Sequence, residues 1–131
     1  MPHEEPQYPK DWLRVAEKDL GRVSSLLAIS DPQAAGFFLQ QAVEKFLKAF
    51  LLSKGWILQR THDLEALLNH GLAYLPSLET YRAACQKISG FYVVDRYPPF
   101  TEVGLTEEDV RTSLNQAEGL IAALRGAMAP E

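Results

Sequence analysis

The stretch "DPQAAGFFLQQAVEKFLKAFLLSKG", residues 31–55, decides the fold. Asp31 is a good helix N-cap, and Pro32 falls at the first helical position, where its missing N–H has no partner to lose. Gly55 supplies a left-handed C-terminal stop after Lys54, so the spacing predicts one helix over 32–54. Leu39, Ala42, Val43, Phe46, Leu47, Ala49 and Phe50 cover well over half of its circumference, and a helix so coated belongs in the middle of a bundle. Its polar residues Gln41, Glu44, Lys45 and Lys48 follow the i, i+3, i+4, i+7 pattern and share one face. Glu44 and Lys48 form a favourable i, i+4 pair, and Lys48 and Lys54 complement the dipole at the helix end. Periodicity alone makes this stripe the solvated face; the alternative is a polar strip lining a cleft or a dimer seam.

Helical periods continue on both sides. Residues 1–9 hold three prolines and few apolar side chains, the composition of a flexible arm. Asp11 then caps a helix whose Trp12, Val15, Ala16, Leu20, Val23, Leu26 and Leu27 recur at three- and four-residue steps. A short helix starts at Thr61 or Asp63, presents Leu64, Leu67 and Leu68, and ends at Gly71. The next begins near Ser77, carries Leu78, Tyr81, Cys85, Ile88 and Phe91, and stops by Tyr97 because Pro98 disfavours helix in its predecessor. Gly90 lets that helix bend or pack closely. The last has the best start signal: Thr106 caps, Glu107, Glu108 and Asp109 fill the first turn, and Leu105 and Val110 occupy the staple positions. Val110, Leu114, Ala117, Leu120, Ile121 and Leu124 form its apolar face. Nothing reads as a strand. The prediction is an all-α antiparallel up-and-down bundle of four long helices and one short one, a single domain over residues 10–127.

Composition narrows the function. A chain of 131 residues buries enough surface to need no disulfide or metal staple, and its one cysteine, Cys85, excludes an intrachain disulfide. A lone thiol on an apolar stripe suits a reducing cytoplasm. The N-terminus lacks the apolar core of a signal peptide, and lysines interrupt each apolar stretch before it is long enough to span a membrane. Net charge is −4, which argues against general DNA or RNA coating but leaves room for a local basic pocket.

The candidates for chemistry are few. His62 and His70 do not have zincin spacing, no cluster completes a metal site, and neither a phosphate-cradling glycine loop nor a nucleophile elbow occurs. Two segments combine cations with an imidazole or aromatic ring beside a helix end. In "RTHDL" (60–64), Arg60 and His62 join helix-start N–H groups in a candidate anion pocket. In "DRYPPF" (95–100), Asp95, Arg96 and Tyr97 precede two prolines.

"QQAVEKFLKAFLLSKGW" (40–56), "THDLEALL" (61–68) and "FYVVDRYP" (91–98), in this order and spacing, resemble the HEPN domain family, from about Asp11 to about Arg125. The resemblance implies a helical bundle that pairs as a homodimer and associates with a small nucleotidyltransferase, as in two-component toxin–antitoxin pairs. It implies that Gln41, Glu44, Lys45, Lys48, His62, Asp63, Arg96 and Tyr97 gather in one region. Many HEPN proteins are metal-independent ribonucleases with an arginine followed by a histidine after four to six residues. That spacing is absent: Arg60 is followed too soon by His62 and too late by His70, and no histidine follows Arg96. A non-catalytic, cytoplasmic nucleotide- or partner-binding role without cofactor or metal is therefore expected. Lys45, Lys48, Arg60, His62, Arg96 and Tyr97 would meet a nucleotide or RNA ligand, supported by Gln41, Glu44, Asp63 and Asp95. The alternatives are a ribonuclease toxin using His62 as a displaced histidine, and a structural adaptor whose charges only orient the helices.

Overall fold

A computed structural model describes residues 8–96 and 104–128, with side chains described at 8–91 and 104–128. The helices are α1 (Pro9–Ala28), α2 (Pro32–Ser53), α3 (Leu64–Gly71), a 3-10 turn (Pro76–Tyr81), α4 (Arg82–Arg96) and α5 (Glu107–Ala127). No strand occurs among the described residues. The fold is the all-α bundle of four long helices and one short one that the periodicity predicts.

α2 is the axis. It packs against α1, α3, α4 and α5, and α4 also packs against α3 and α5. Leu39, Ala42, Val43, Phe46, Leu47, Ala49 and Phe50 are all fully buried. Each large apolar side chain among them contributes about 1.5–3 kcal/mol of transfer free energy. Gly36 permits the closest approach: a Cβ there would collide with Leu105 Cδ2 and touch the Phe91 ring at 3.4 Å.

The ends follow the local signals with some exceptions. Asp31 Oδ1 accepts from Ala34 N–H at 3.2 Å, and Gly55 adopts φ 90° behind α2. Thr106 and Asp109 form a reciprocal capping box on α5, so Asp serves where Glu is usual. α1 begins three residues earlier than Asp11 implies. Its N-cap is Tyr8 without a side-chain cap, Pro9 opens the helix, and Asp11 lies in the first turn, where it accepts from Arg14 at 3.1 Å. Pro9 starts the helix unaided because its fixed φ is already helical. α4 also differs: Pro76–Tyr81 winds as a tighter 3-10 turn before the α-helix starts at Arg82. Among the described residues, a Cβ on Gly90 would meet nothing within 4 Å. In the turn after α1, Ser30 takes φ 61°, and Asp31 N–H reaches Leu26 O at 2.9 Å. No helix among the described residues is long and apolar enough to cross a membrane.

Candidate functional site

Within the polar stripe of α2, Glu44 and Lys48 are interior, while Gln41 and Lys45 are half-buried. Glu44 and Lys48 are each only 3% exposed, and Lys48 Nζ donates to Glu44 Oε2 at 2.9 Å. Periodicity assigned this stripe to solvent. The structure covers it instead, because α1 and the 54–63 connection close over the side of α2 that carries the charges. Lys48 accordingly does not serve the helix dipole. Its ammonium lies 5.2 Å from the centre of the Trp12 ring, on α1. Lys54 reaches across the bundle end to donate to Ala127 O at 2.9 Å.

Glu44 links the interior to the surface. Its Oε1 accepts from Gln40 Nε2 at 3.2 Å and lies 2.9 Å from His62 Nδ1. Gln40, fully buried, also donates to the His62 carbonyl at 3.0 Å and accepts from Gln41 Nε2 at 2.7 Å. The His62 side chain is 56% exposed, so the imidazole forms the solvent-facing end of this chain of contacts.

Lys45 turns the other way. Its Nζ donates to Asp19 Oδ2 at 2.6 Å, while Arg22 Nη1 donates to Asp19 Oδ1 at 2.6 Å. Asp19 is 2% exposed, Lys45 19% and Arg22 45%. Two cations therefore share one buried carboxylate, and the Arg22 guanidinium also lies 5.3 Å from the Phe38 ring centre. Burying a carboxylate is tolerable only with such compensation.

The anion pocket proposed for the start of α3 is not open. Leu64 N–H donates to Ser89 Oγ of α4 at 3.0 Å, and Asp63 Oδ1 accepts from Glu65 N–H and Ala66 N–H. Helix-start N–H groups bind an anion only while they lack internal acceptors. Asp63 is thus a cap, not a member of the Glu44 network. Arg60 is exposed on the same connection as His62. Arg96 is the last residue of α4, seven positions after Ser89. The side chains of Asp95 and Arg96 and the whole of Tyr97 lie outside the described residues.

Gln41, Glu44, Lys48 and His62 are thus linked in one network, which Gln40 joins unannounced, while Lys45 lies in a separate cluster with Asp19 and Arg22. Asp19 left a trace: an acid placed between Ala16 and Val23 on the apolar stripe of α1. Gln40 left none, since a glutamine beside Leu39 looks like any edge residue.

A second cluster braces α3 from its first turn to its last. Arg82 donates to Glu65 Oε2 at 2.7 Å, to Asn69 Oδ1 at 2.7 Å, and to both oxygens of Glu79. The Arg82 hydrogen bonds hold the Glu65 and Glu79 carboxyls below their usual range and raise the guanidinium further. Next to it, burial pushes the Cys85 thiol up to about 12, far from a reactive thiolate. No group of three or more histidine, cysteine or carboxylate side chains suited to a metal occurs among the described residues.

Comparison with known proteins places this architecture. The HEPN domain family model matches residues 9–127. The crystal structure of TT1696 from Thermus thermophilus superposes with a TM-score of 0.76 at 26% identity, over 91% of this chain and 97% of that one. The structure of ST0689, an archaeal HEPN homologue, does so with a TM-score of 0.73 at 25% identity, over 93% and 98% respectively. No curated protein matches.

Proposed function

The chain belongs to the HEPN domain family, and from that premise we propose that it is a non-catalytic binding module for the phosphate of a nucleotide. It acts in the cytoplasm as a homodimer with a small nucleotidyltransferase in a two-component, toxin–antitoxin-like system. The observation that carries the ligand reading is the sharing of Asp19 by Lys45 and Arg22. Across the cluster, the three cations Arg22, Lys45 and Lys48 face the two carboxylates Asp19 and Glu44. A partly exposed surplus of positive charge in an acidic protein favours a local anion. Lys48 contributes indirectly, through Glu44, while Lys45, Arg22, His62 and Arg60 make the reachable surface. Arg96 and Tyr97 extend it on the strength of the sequence resemblance.

The test is calorimetry and thermal unfolding with adenosine and guanosine nucleotides. Binding should raise Tm through mass action, by about 2.7 kcal/mol of stability at a hundredfold excess over Kd. Arg22→Gln leaves Asp19 its Lys45 partner and removes the surplus, so it should stay folded and bind weakly. Arg96→Ala should also weaken binding while leaving the fold intact. If no nucleotide binds and Arg96→Ala unfolds the chain, the charges are structural and the adaptor reading replaces this one. RNA cleavage that disappears with His62→Ala would instead favour the ribonuclease.

A further inference from the structure

α1 carries more positive charge than its own acids use. The helix holds three acids, and each has a partner: Asp11 pairs with Arg14, Glu17 with Arg125 of α5, and Asp19 with both Lys45 and Arg22. Lys18 is exposed and has no ion-pair partner among the described residues. Arg14, Lys18 and Arg22 follow at four-residue steps, so they form one column on the outer face of α1. Like charges at this spacing destabilise a helix. Gly21 lies beside the column, three residues after Lys18. Glycine is the poorest helix former after proline, yet among the described residues a Cβ here would meet nothing within 4 Å. A like-charge column beside a bare stretch of helix surface suits an extended anion lying along the helix. The position of one phosphate is already set. Arg22 Nη1 and Lys45 Nζ each donate to Asp19 at 2.6 Å, and the guanidinium rests 5.3 Å from the Phe38 ring centre. Both cations are held in place and keep donors to spare, since a guanidinium has five N–H groups and an ammonium three. Lys18 adds a further anchoring point one turn earlier, about 6 Å along the axis.

We infer that Lys18 is a further binding residue and that the α1 column takes an oligophosphate: one phosphate at Arg22 and Lys45, the following ones running along α1 past Gly21 to Lys18. The oligophosphate site stands on the charges of α1 and α2 alone. That the chain of phosphates belongs to a nucleoside triphosphate rests on the nucleotide-binding reading above.

Calorimetry of the full chain in magnesium-free buffer compares adenosine monophosphate, adenosine triphosphate and inorganic tripolyphosphate. The triphosphate should bind about tenfold more tightly than the monophosphate, the effect of one charge-assisted hydrogen bond to an exposed lysine. In Lys18→Gln, and in Gly21→Glu, which sets an acid against Lys18, that ratio should collapse toward one. Both positions are exposed, so both variants should fold. Lys87→Gln, an equal loss of charge on α4, should preserve the ratio. A wild-type ratio near one, a ratio unchanged by Lys18→Gln, or an equal collapse in Lys87→Gln overturns the oligophosphate site and leaves nucleotide binding standing. Tripolyphosphate binding that depends on Lys18, without binding of either nucleotide, supports the site and refutes the nucleotide reading. Absence of binding by all three refutes both.

Discussion

Removing one member of the Glu44–Lys48 pair should be far more damaging than removing both. Each residue is 3% exposed, so neither charge regains water when its partner is lost. Breaking a buried pair this way costs about 3–5 kcal/mol. Lys48→Met belongs at the lower end, about 3 kcal/mol, because Glu44 keeps Gln40 Nε2 and His62 Nδ1. Glu44→Met belongs at the upper end, about 5 kcal/mol. Among the described residues, the Lys48 ammonium would keep only the Trp12 face, worth up to about 2 kcal/mol when desolvated. In Glu44→Met/Lys48→Met the unpaired charge is gone, and stability should return to within about 1–2 kcal/mol of the parent. Urea unfolding checks this, with the transition midpoint shifting and the m-value unchanged if the folded state stays compact. For a chain of this length, each single variant should also lose roughly 10–20 °C in Tm. Single variants that each lose under about 1 kcal/mol, with an additive double, would refute the reasoning: the pair would then be behaving as a water-screened surface bridge.

Three further outcomes follow from local geometry. Ser30 sits at φ 61° in the turn after α1, a conformation that glycine adopts without strain, so Ser30→Gly should raise stability by about 1 kcal/mol in the same unfolding assay. Cys85 should resist alkylation until the chain unfolds. Its folded pKa of about 12 is raised, so the unfolded thiol loses its proton first; stability should fall as pH climbs from the ordinary thiol range toward 12, and Cys85→Ala should remove that part of the decline. Glu65 and Glu79 have depressed pKa values, so their stabilising contribution is present above the ordinary carboxylate range and lost as pH falls below it. Arg82→Ala should flatten this acid limb of the pH–stability profile.

The bundle was legible because its determinants are local. Asp31 with Pro32, Gly55, and Thr106 with Asp109 act on backbone groups within a few residues of themselves, so their chemistry can be read in place. Where a boundary moved, a competing local effect won: Pro9 nucleated α1 ahead of Asp11, and Pro76 wound a tight turn ahead of α4. The site was only half legible. Glu44, Lys48 and His62 could be grouped from the sequence, but Asp19 and Arg22 come from another helix, and their pairing with Lys45 depends on how α1 docks.

The α2 stripe shows where the division falls. Helical periodicity determines that Gln41, Glu44, Lys45 and Lys48 share a face, because that is set by the angle between successive residues. It says nothing about what stands opposite that face. The tertiary structure decided that α1 and the 54–63 connection cover it, exchanging water for Asp19, Trp12 and His62. A charged stripe in water is decoration worth little, whereas the same residues enclosed must be paired and aimed, and that enclosure turns His62 from a loop histidine into a held imidazole.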